Sequence, residues 1–181
     1  GVDEVGRGPL AGPVTCAAVI MPLDALIEGV NDSKKVSKKK RERLAEEIKK
    51  NAVAYSVVSY DNAAIDDMNI LNATKACMRD AIMSLSVTPD VVLIDAVKLD
   101  LPVRTVSVVH GDALSYSIAA ASIIAKVHRD AFMAEMDEKF PGYGFSRNAG
   151  YGTAEHIAAL KSLGATPIHR RTFIKNFVEA E

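Results

Sequence analysis

A chain of 181 residues is long enough to bury a real core and falls in the range of one domain. With 49% hydrophobic residues, 25% charged residues and a net charge of −1, it has an ordinary globular make-up, which excludes a disordered chain and one that is basic throughout. No run reaches the roughly 20 apolar residues needed to cross a bilayer, and Cys16 and Cys77 are too few for a disulfide framework, so a soluble protein with two buried thiols in a reducing cytoplasm is expected.

Residues 1–5 read as a short strand. The chain opens inside it at Gly1, without a methionine, so the natural N-terminus is expected upstream. Gly6-Arg7-Gly8-Pro9-Leu10-Ala11-Gly12-Pro13 has three glycines and two prolines in eight residues, the composition of a shaped loop. The apolar residues 14–21 then supply a second strand, most simply the hairpin partner of the first. Residues 34–50 have helical character with a narrow stripe of Leu44, Ala45 and Ile48, and Ser33 or Ser37 is placed to cap them. Residues 53–60 predict a third strand. Ile70, Leu71, Ala73, Ala76, Cys77, Ala81 and Ile82 recur at helical spacing through residues 69–85.

Pro89 breaks the chain, and Val91-Val92-Leu93-Ile94 is a continuous apolar run of the kind buried on both faces of a sheet. Residues 103–109 predict a fifth strand. From Asp112 to about residue 140 one long helix is expected, apolar all round between residues 118 and 127 and therefore packed on more than one side. Residues 153–163 predict a further helix, followed by a short tail. Repeats and low-complexity linkers are absent. The order of elements implies an α/β fold, a mixed five-stranded sheet flanked by helices, with residues 1–181 as a single domain.

Charge is segregated along this chain. Lys34, Lys35, Lys38, Lys39, Lys40, Arg41 and Arg43 crowd one stretch, and His169, Arg170, Arg171 and Lys175 crowd another, leaving an acidic remainder. A basic binding face beside an acidic pocket produces such a distribution, and so does a solvated helix face. Lys34 and Lys35 are candidate phosphate contacts, and Lys126, in an apolar helix, is a candidate partner for a carboxylate.

Four acids stand where acids are awkward. Asp3 and Glu4 interrupt the first strand, Asp95 ends the most apolar one, and Asp112 opens the alanine-rich helix. Singly each has a bland explanation: a salt bridge to Arg7 for the first two, a turn for Asp95, a helix cap for Asp112. Together at strand ends they suit hard divalent ions, which need no His or Cys ligand. A pair of such ions can activate water and stabilise a phosphodiester's leaving oxygen. Adjacent strand residues point to opposite faces, so Asp3 and Glu4 share a site only if the chain bends, as Gly6 permits, or if Glu4 acts through its carbonyl. His110, His128, His156 and His169 lack zinc-ligand spacing, and no Gly-x-Ser-x-Gly elbow occurs.

The segment Gly1-Val2-Asp3-Glu4-Val5-Gly6-Arg7-Gly8-Pro9-Leu10-Ala11-Gly12-Pro13-Val14 resembles the opening signature of the ribonuclease HII family. Asp32-Ser33-Lys34-Lys35, Ile65-Asp66 with Asn69-Ile70-Leu71, and Asp95 continue the likeness. So do Gly111-Asp112, Ser117-Ile118-Ala119-Ala120-Ala121-Ser122, Ala125-Lys126-Val127 with Arg129-Asp130, Gly150-Tyr151-Gly152-Thr153 and His169-Arg170-Arg171-Thr172-Phe173, the last of a bacterial type. His128 departs from the threonine common in relatives.

The resemblance implies a ribonuclease H-like fold with a small C-terminal helical extension, about residues 140–181, that contacts substrate. It implies that Asp3, Glu4, Asp95 and Asp112 bind two Mg2+ or Mn2+ ions and that the backbone of Gly6, Arg7 and Gly8 approaches a ribose 2′-hydroxyl, the feature that separates RNA from DNA. Tyr151 would pack on the following sugar. The implied substrates are RNA/DNA hybrids and DNA containing ribonucleotides, cut to 3′-hydroxyl and 5′-phosphate ends by a cytoplasmic monomer in ribonucleotide excision and primer removal; protein partners stay open. The rivals are a DNA-directed nuclease on the same fold, which has no use for a 2′-hydroxyl reader, and a non-catalytic hybrid-binding module, which would not keep all four acids.

Overall fold

The computed structural model describes residues 1–24, 26–30, 36–95 and 97–178. Asp32, Ser33, Lys34 and Lys35, and with them the expected phosphate contacts, lie outside the described residues.

Strands β1 (Val2–Val5) and β2 (Val14–Ile20) form the expected antiparallel hairpin, with Asp3 opposite Ala17 and Glu4 opposite Cys16. β3 (Ala54–Tyr60) pairs antiparallel with β2, while β4 (Val91–Asp95) joins β1 in parallel and β5 (Arg104–Val108) joins β4 likewise. The mixed five-stranded sheet therefore runs β3-β2-β1-β4-β5, with β1 at its centre.

Alternation along β2 distributes the core between two faces. Cys16 and Ala18 pack with Cys77, Met78, Ala81 and Ile82 of helix α3 (Ile70–Met83). Ala17 and Val19 pack on the other face with Leu44, Ala45 and Ile48 of α1 (Lys38–Asn51) and with Ala120, Ala121 and Ile124 of α5 (Tyr116–Lys139). Both cysteines are buried and free. Lys126 meets Asp130 at 2.7 Å, the carboxylate partner expected of it, and Arg41 of α1 reaches the same acid at 3.7 Å.

Several elements differ from the sequence expectation. The long helix is broken: α4 (Gly111–Leu114) is one turn, Ser115 is extended (φ −121°, ψ 120°), and its hydroxyl accepts from the Ile118 N–H to start α5. A serine offers the backbone this alternative to a continuous helix. α1 begins only at Lys38, with Ser37 in the cap position but making no side-chain cap bond. β4 is not buried on both faces: Val92 and Ile94 are buried, Leu93 is half-buried and Val91 is exposed, because even an apolar run alternates once it is extended.

Helix α2 (Asn62–Met68) was not foreseen; Asp61 caps it by accepting from the Ala64 N–H. Asn69, in the left-handed region at φ 66°, then ends α2 and caps α3. The region after α5 contains the expected helix and a short one on either side of it. It holds α6 (Phe145–Asn148), α7 (Ala154–Leu163), which Thr153 caps by accepting from the His156 N–H, and α8 (Arg171–Ile174). Tyr143, Phe145 and Ala159 pack there against Met133, Met136 and Ala11.

Candidate active site

Asp3, Glu4 and Asp95 lie on the adjoining central strands β1 and β4. Val2 pairs in parallel with Ile94, which brings Asp3 beside Asp95, the last residue of β4. Asp3 is hydrogen-bonded to Ser122 of α5, and its Oδ1 accepts from the Glu4 N–H at 2.8 Å. Glu4 has one oxygen 3.3 Å from Arg7 Nη1, while its other oxygen, Oε2, is buried without a hydrogen-bond partner. The charge of Asp95 is felt by both Asp3 and Glu4, although they are neighbours on a strand. Asp95 Oδ1 in turn accepts from the Gly111 N–H at 2.8 Å, which ties α4, and so Asp112, to the end of β4.

Burial, and then the charge of Glu4, pushes the Asp3 carboxyl up to about 8. Burial also raises Glu4, against the pull of Arg7. Among the described residues no three Asp, Glu, His or Cys side chains are gathered closely enough to make a finished metal cage. The acids nonetheless fit a divalent cation: they are hard oxygen donors, one buried oxygen is orphaned, and their mutual repulsion is relieved by a positive charge between them.

The glycine-rich loop leaves β1 directly after the acids. Gly6 sits at φ 90°, and a Cβ there would fall 2.2 Å from Arg129 Nε and 2.7 Å from the Pro13 carbonyl. Tyr151 is exposed, and its Cε1 stands 3.4 Å from where a Cβ of Gly8 would be, so the loop and the tyrosine ring are neighbours. The turn that presents Tyr151 is locked to the loop: Leu10 N–H donates to the Gly150 carbonyl at 2.8 Å. Gly150, at φ 81°, admits this approach because a Cβ would come within 2.5 Å of the Ala11 carbonyl.

Two fully buried arginines brace this arrangement. Arg129 donates from Nε to Pro13 O (2.9 Å), from Nη1 to Ala149 O (2.9 Å) and from Nη2 to Ala11 O (3.1 Å). Arg170 donates from Nε to Gly12 O (2.9 Å), from Nη1 to Arg7 O (2.9 Å) and from Nη2 to Gly6 O (2.5 Å). Burial pushes Arg129 down to about 10. Burial and the neighbouring Arg129 push Arg170 to about 9, so both remain charged at neutral pH. Sequence reasoning assigned neither a role. It grouped His169 and Arg170 with Arg171 and Lys175 as one basic face, and that reading is corrected: His169 and Arg170 are buried inside, and only Arg171 and Lys175 are exposed. Arg129 lies just past the apolar stretch of α5, between His128 and Asp130, where the local pattern gives no sign that it is buried.

Carboxylates crowded at strand ends, with a cation as their natural relief, put the protein in the class of ribonuclease H-like metal-dependent hydrolases. A family model described as Ribonuclease HII matches residues 1–176. A relative named ribonuclease HII from Enterococcus faecalis is 59% identical over 173 residues, covering 96% of this chain and 68% of the relative. One of the same name from Ruminiclostridium cellulolyticum is 54% identical over 180 residues, covering 99% and 71%. Among solved structures, the ribonuclease H2 from Pyrococcus horikoshii superposes with a TM-score of 0.80 at 28% identity, over 95% of this chain and 92% of that one. The chain belongs to the ribonuclease HII family and is a ribonuclease H.

Proposed function

We propose that this chain hydrolyses the RNA strand of RNA/DNA hybrids and the bond 5′ of a single ribonucleotide in duplex DNA, in ribonucleotide excision and RNA primer removal. The observation that carries the reading is the closeness of Gly8 and Tyr151, in a loop that starts one residue beyond Val5 and two beyond the Asp3-Glu4 pair. A reader for a sugar thus lies directly beside a set of acids suited to a phosphodiester.

Asp3, Glu4, Asp95 and Asp112 would hold two Mg2+ or Mn2+ ions, which when bound supply charge neutralisation at the phosphate and a more acidic water. The water oxygen attacks phosphorus, the P–O3′ bond breaks, and the departing oxygen takes a proton to become a 3′-hydroxyl, leaving a 5′-phosphate. Backbone groups of Gly6, Arg7 and Gly8, unshielded by side chains at the two glycines, approach the ribose 2′-hydroxyl, which both donates and accepts. The Tyr151 ring packs on the following sugar and favours deoxyribose there, because a second 2′-hydroxyl would crowd the ring. In this reading residues 140–181 act as a substrate-contacting extension of a single catalytic domain. No helix among the described residues is long and apolar enough to cross a membrane, and the reading is of a monomer working in the cytoplasm.

The test is a series of duplexes with no ribonucleotide, one, or four, incubated with Mg2+ and wild type, Asp3→Asn or Tyr151→Ala. Wild type should cut the second and third only, Asp3→Asn none, and Tyr151→Ala the single-ribonucleotide duplex up to about 100-fold more slowly, the scale of a misplaced substrate. Equal cutting of the all-DNA duplex, or undiminished turnover by Asp3→Asn, would overturn the reading.

A further inference from the structure

Beneath Tyr151 lies a pair of buried histidines that the chemistry above does not use. His156 Nε2 and His169 Nε2 are 3.0 Å apart, His156 Nδ1 is 2.9 Å from the Tyr151 carbonyl oxygen, and His169 Nδ1 is 2.9 Å from the Thr166 backbone nitrogen. The direction of every bond follows from one end. A backbone N–H can only donate, so His169 Nδ1 accepts from Thr166 and its proton sits on Nε2. That proton is donated to His156 Nε2, which leaves the His156 proton on Nδ1, donated to Tyr151 O. A further proton on His156 Nε2 would set N–H against N–H across the pair, so the relay as it stands joins two neutral imidazoles. Burial favours the neutral form of both.

Packing holds the relay in register. Tyr143 and Phe145 stack at 5.2 Å, His156 stands edge-on to both, and the Tyr143 hydroxyl is tied to Gly164 O at 2.6 Å. The residue after His169 is Arg170, whose fork holds Gly6, Arg7 and Gly12. Two consecutive residues thus reach the two halves of the sugar-reading surface, one through the relay to Tyr151 and one directly to the loop. A pair serving packing alone would not need its far end bonded to the tyrosine's own carbonyl.

We propose that His156 and His169 are positioning residues that hold Tyr151 at a fixed height over Gly8 and thereby set the preference for deoxyribose after the ribonucleotide. The inference rests on the reading of Tyr151 given above. Its readout is the ratio of cleavage rates on two duplexes, one with a single ribonucleotide and one with four. His156→Phe keeps the ring volume but removes both nitrogens. It should lower the single-ribonucleotide rate between about 10- and 100-fold and shrink the ratio. His156→Asn keeps a donor for Tyr151 O and should restore most of that ratio. Combined with Tyr151→Ala, His156→Phe should add no further loss, because both changes act on one ring. If His156→Phe does not fold, His169→Leu against His169→Gln makes the same comparison one bond further along, the glutamine keeping a donor toward His156.

An equal loss on both duplexes, or a loss that multiplies with that of Tyr151→Ala, would overturn the inference while leaving the role of Tyr151 intact. An unchanged ratio in Tyr151→Ala itself would overturn that role and this inference with it.

Discussion

Asp3 keeps its proton to about pH 8 because it is buried next to Glu4, and this has a consequence for stability. An aspartate with a raised folded pKa stabilises the fold fully below its ordinary value of 3.8, and that contribution is lost as pH rises toward 8. In metal-free protein, Asp3→Asn should therefore raise the melting temperature at pH 8 and leave it nearly unchanged at pH 4. Added Mg2+ should raise the melting temperature of wild type more than that of the variant. Thermal unfolding at the two pH values with and without Mg2+ checks this, and a variant less stable than wild type at pH 8 without metal would sink it. At this scale the acids were legible in the sequence because a carboxylate inside or ending an apolar strand is conspicuous. Tyr151 was singled out by the resemblance of Gly150-Tyr151-Gly152-Thr153 to a family motif. Arg170 was not legible: a run of His-Arg-Arg shows charge, while burial is decided by carbonyls more than 150 residues away.

At the scale of elements, strands and core helices followed from periodicity, since each presents one or two faces to the same sheet. The break at Ser115 did not, because Asp112 and the alanines after it are as compatible with one helix as with two. What decides is the Asp95 carboxylate, which takes the Gly111 N–H and fixes α4 to the end of β4. The loop of residues 6–13 has no regular backbone pairing partner along most of its length, and the arginine forks supply what a ladder would. Arg170→Lys replaces three donors in a fixed fork with a compact ammonium that cannot serve Gly6, Arg7 and Gly12 together. It should cost about 2–4 kcal/mol, from buried carbonyls left without donors, and lower cleavage sharply. Arg171→Lys, one residue on and exposed, should do neither. Urea unfolding and cleavage assays on the pair give the comparison. Near-identical behaviour of the two would remove Arg170 from the account.

Across the whole molecule, the site is closed by contacts remote in sequence. Gly12 N–H donates to Ile168 O at 2.9 Å, Arg170 N–H donates to Leu10 O at 2.9 Å, and Ala11 and His169 between them form a single antiparallel bridge, so residues 168–170 are pinned to the loop. The β1–β2 hairpin needs only local closure, whereas these contacts wait for the full span of chain between them. During refolding, the amides of Ala17 and Val19, which face β1 in the hairpin, should gain protection from hydrogen exchange before those of Leu10 and Gly12. Simultaneous protection of all four would refute that order.

The late arrival of Arg170 also bears on synthesis. The acids are translated first and the whole catalytic sheet is complete by Val108, yet the residue that sets the loop emerges from the ribosome some sixty positions later. Until Arg170 is in place, the carbonyls of Gly6, Arg7 and Gly12 lack the donors that hold them in the finished fold. On the proposed reading of the loop, the order of synthesis would leave a growing chain without its sugar reader until Arg170 has been made.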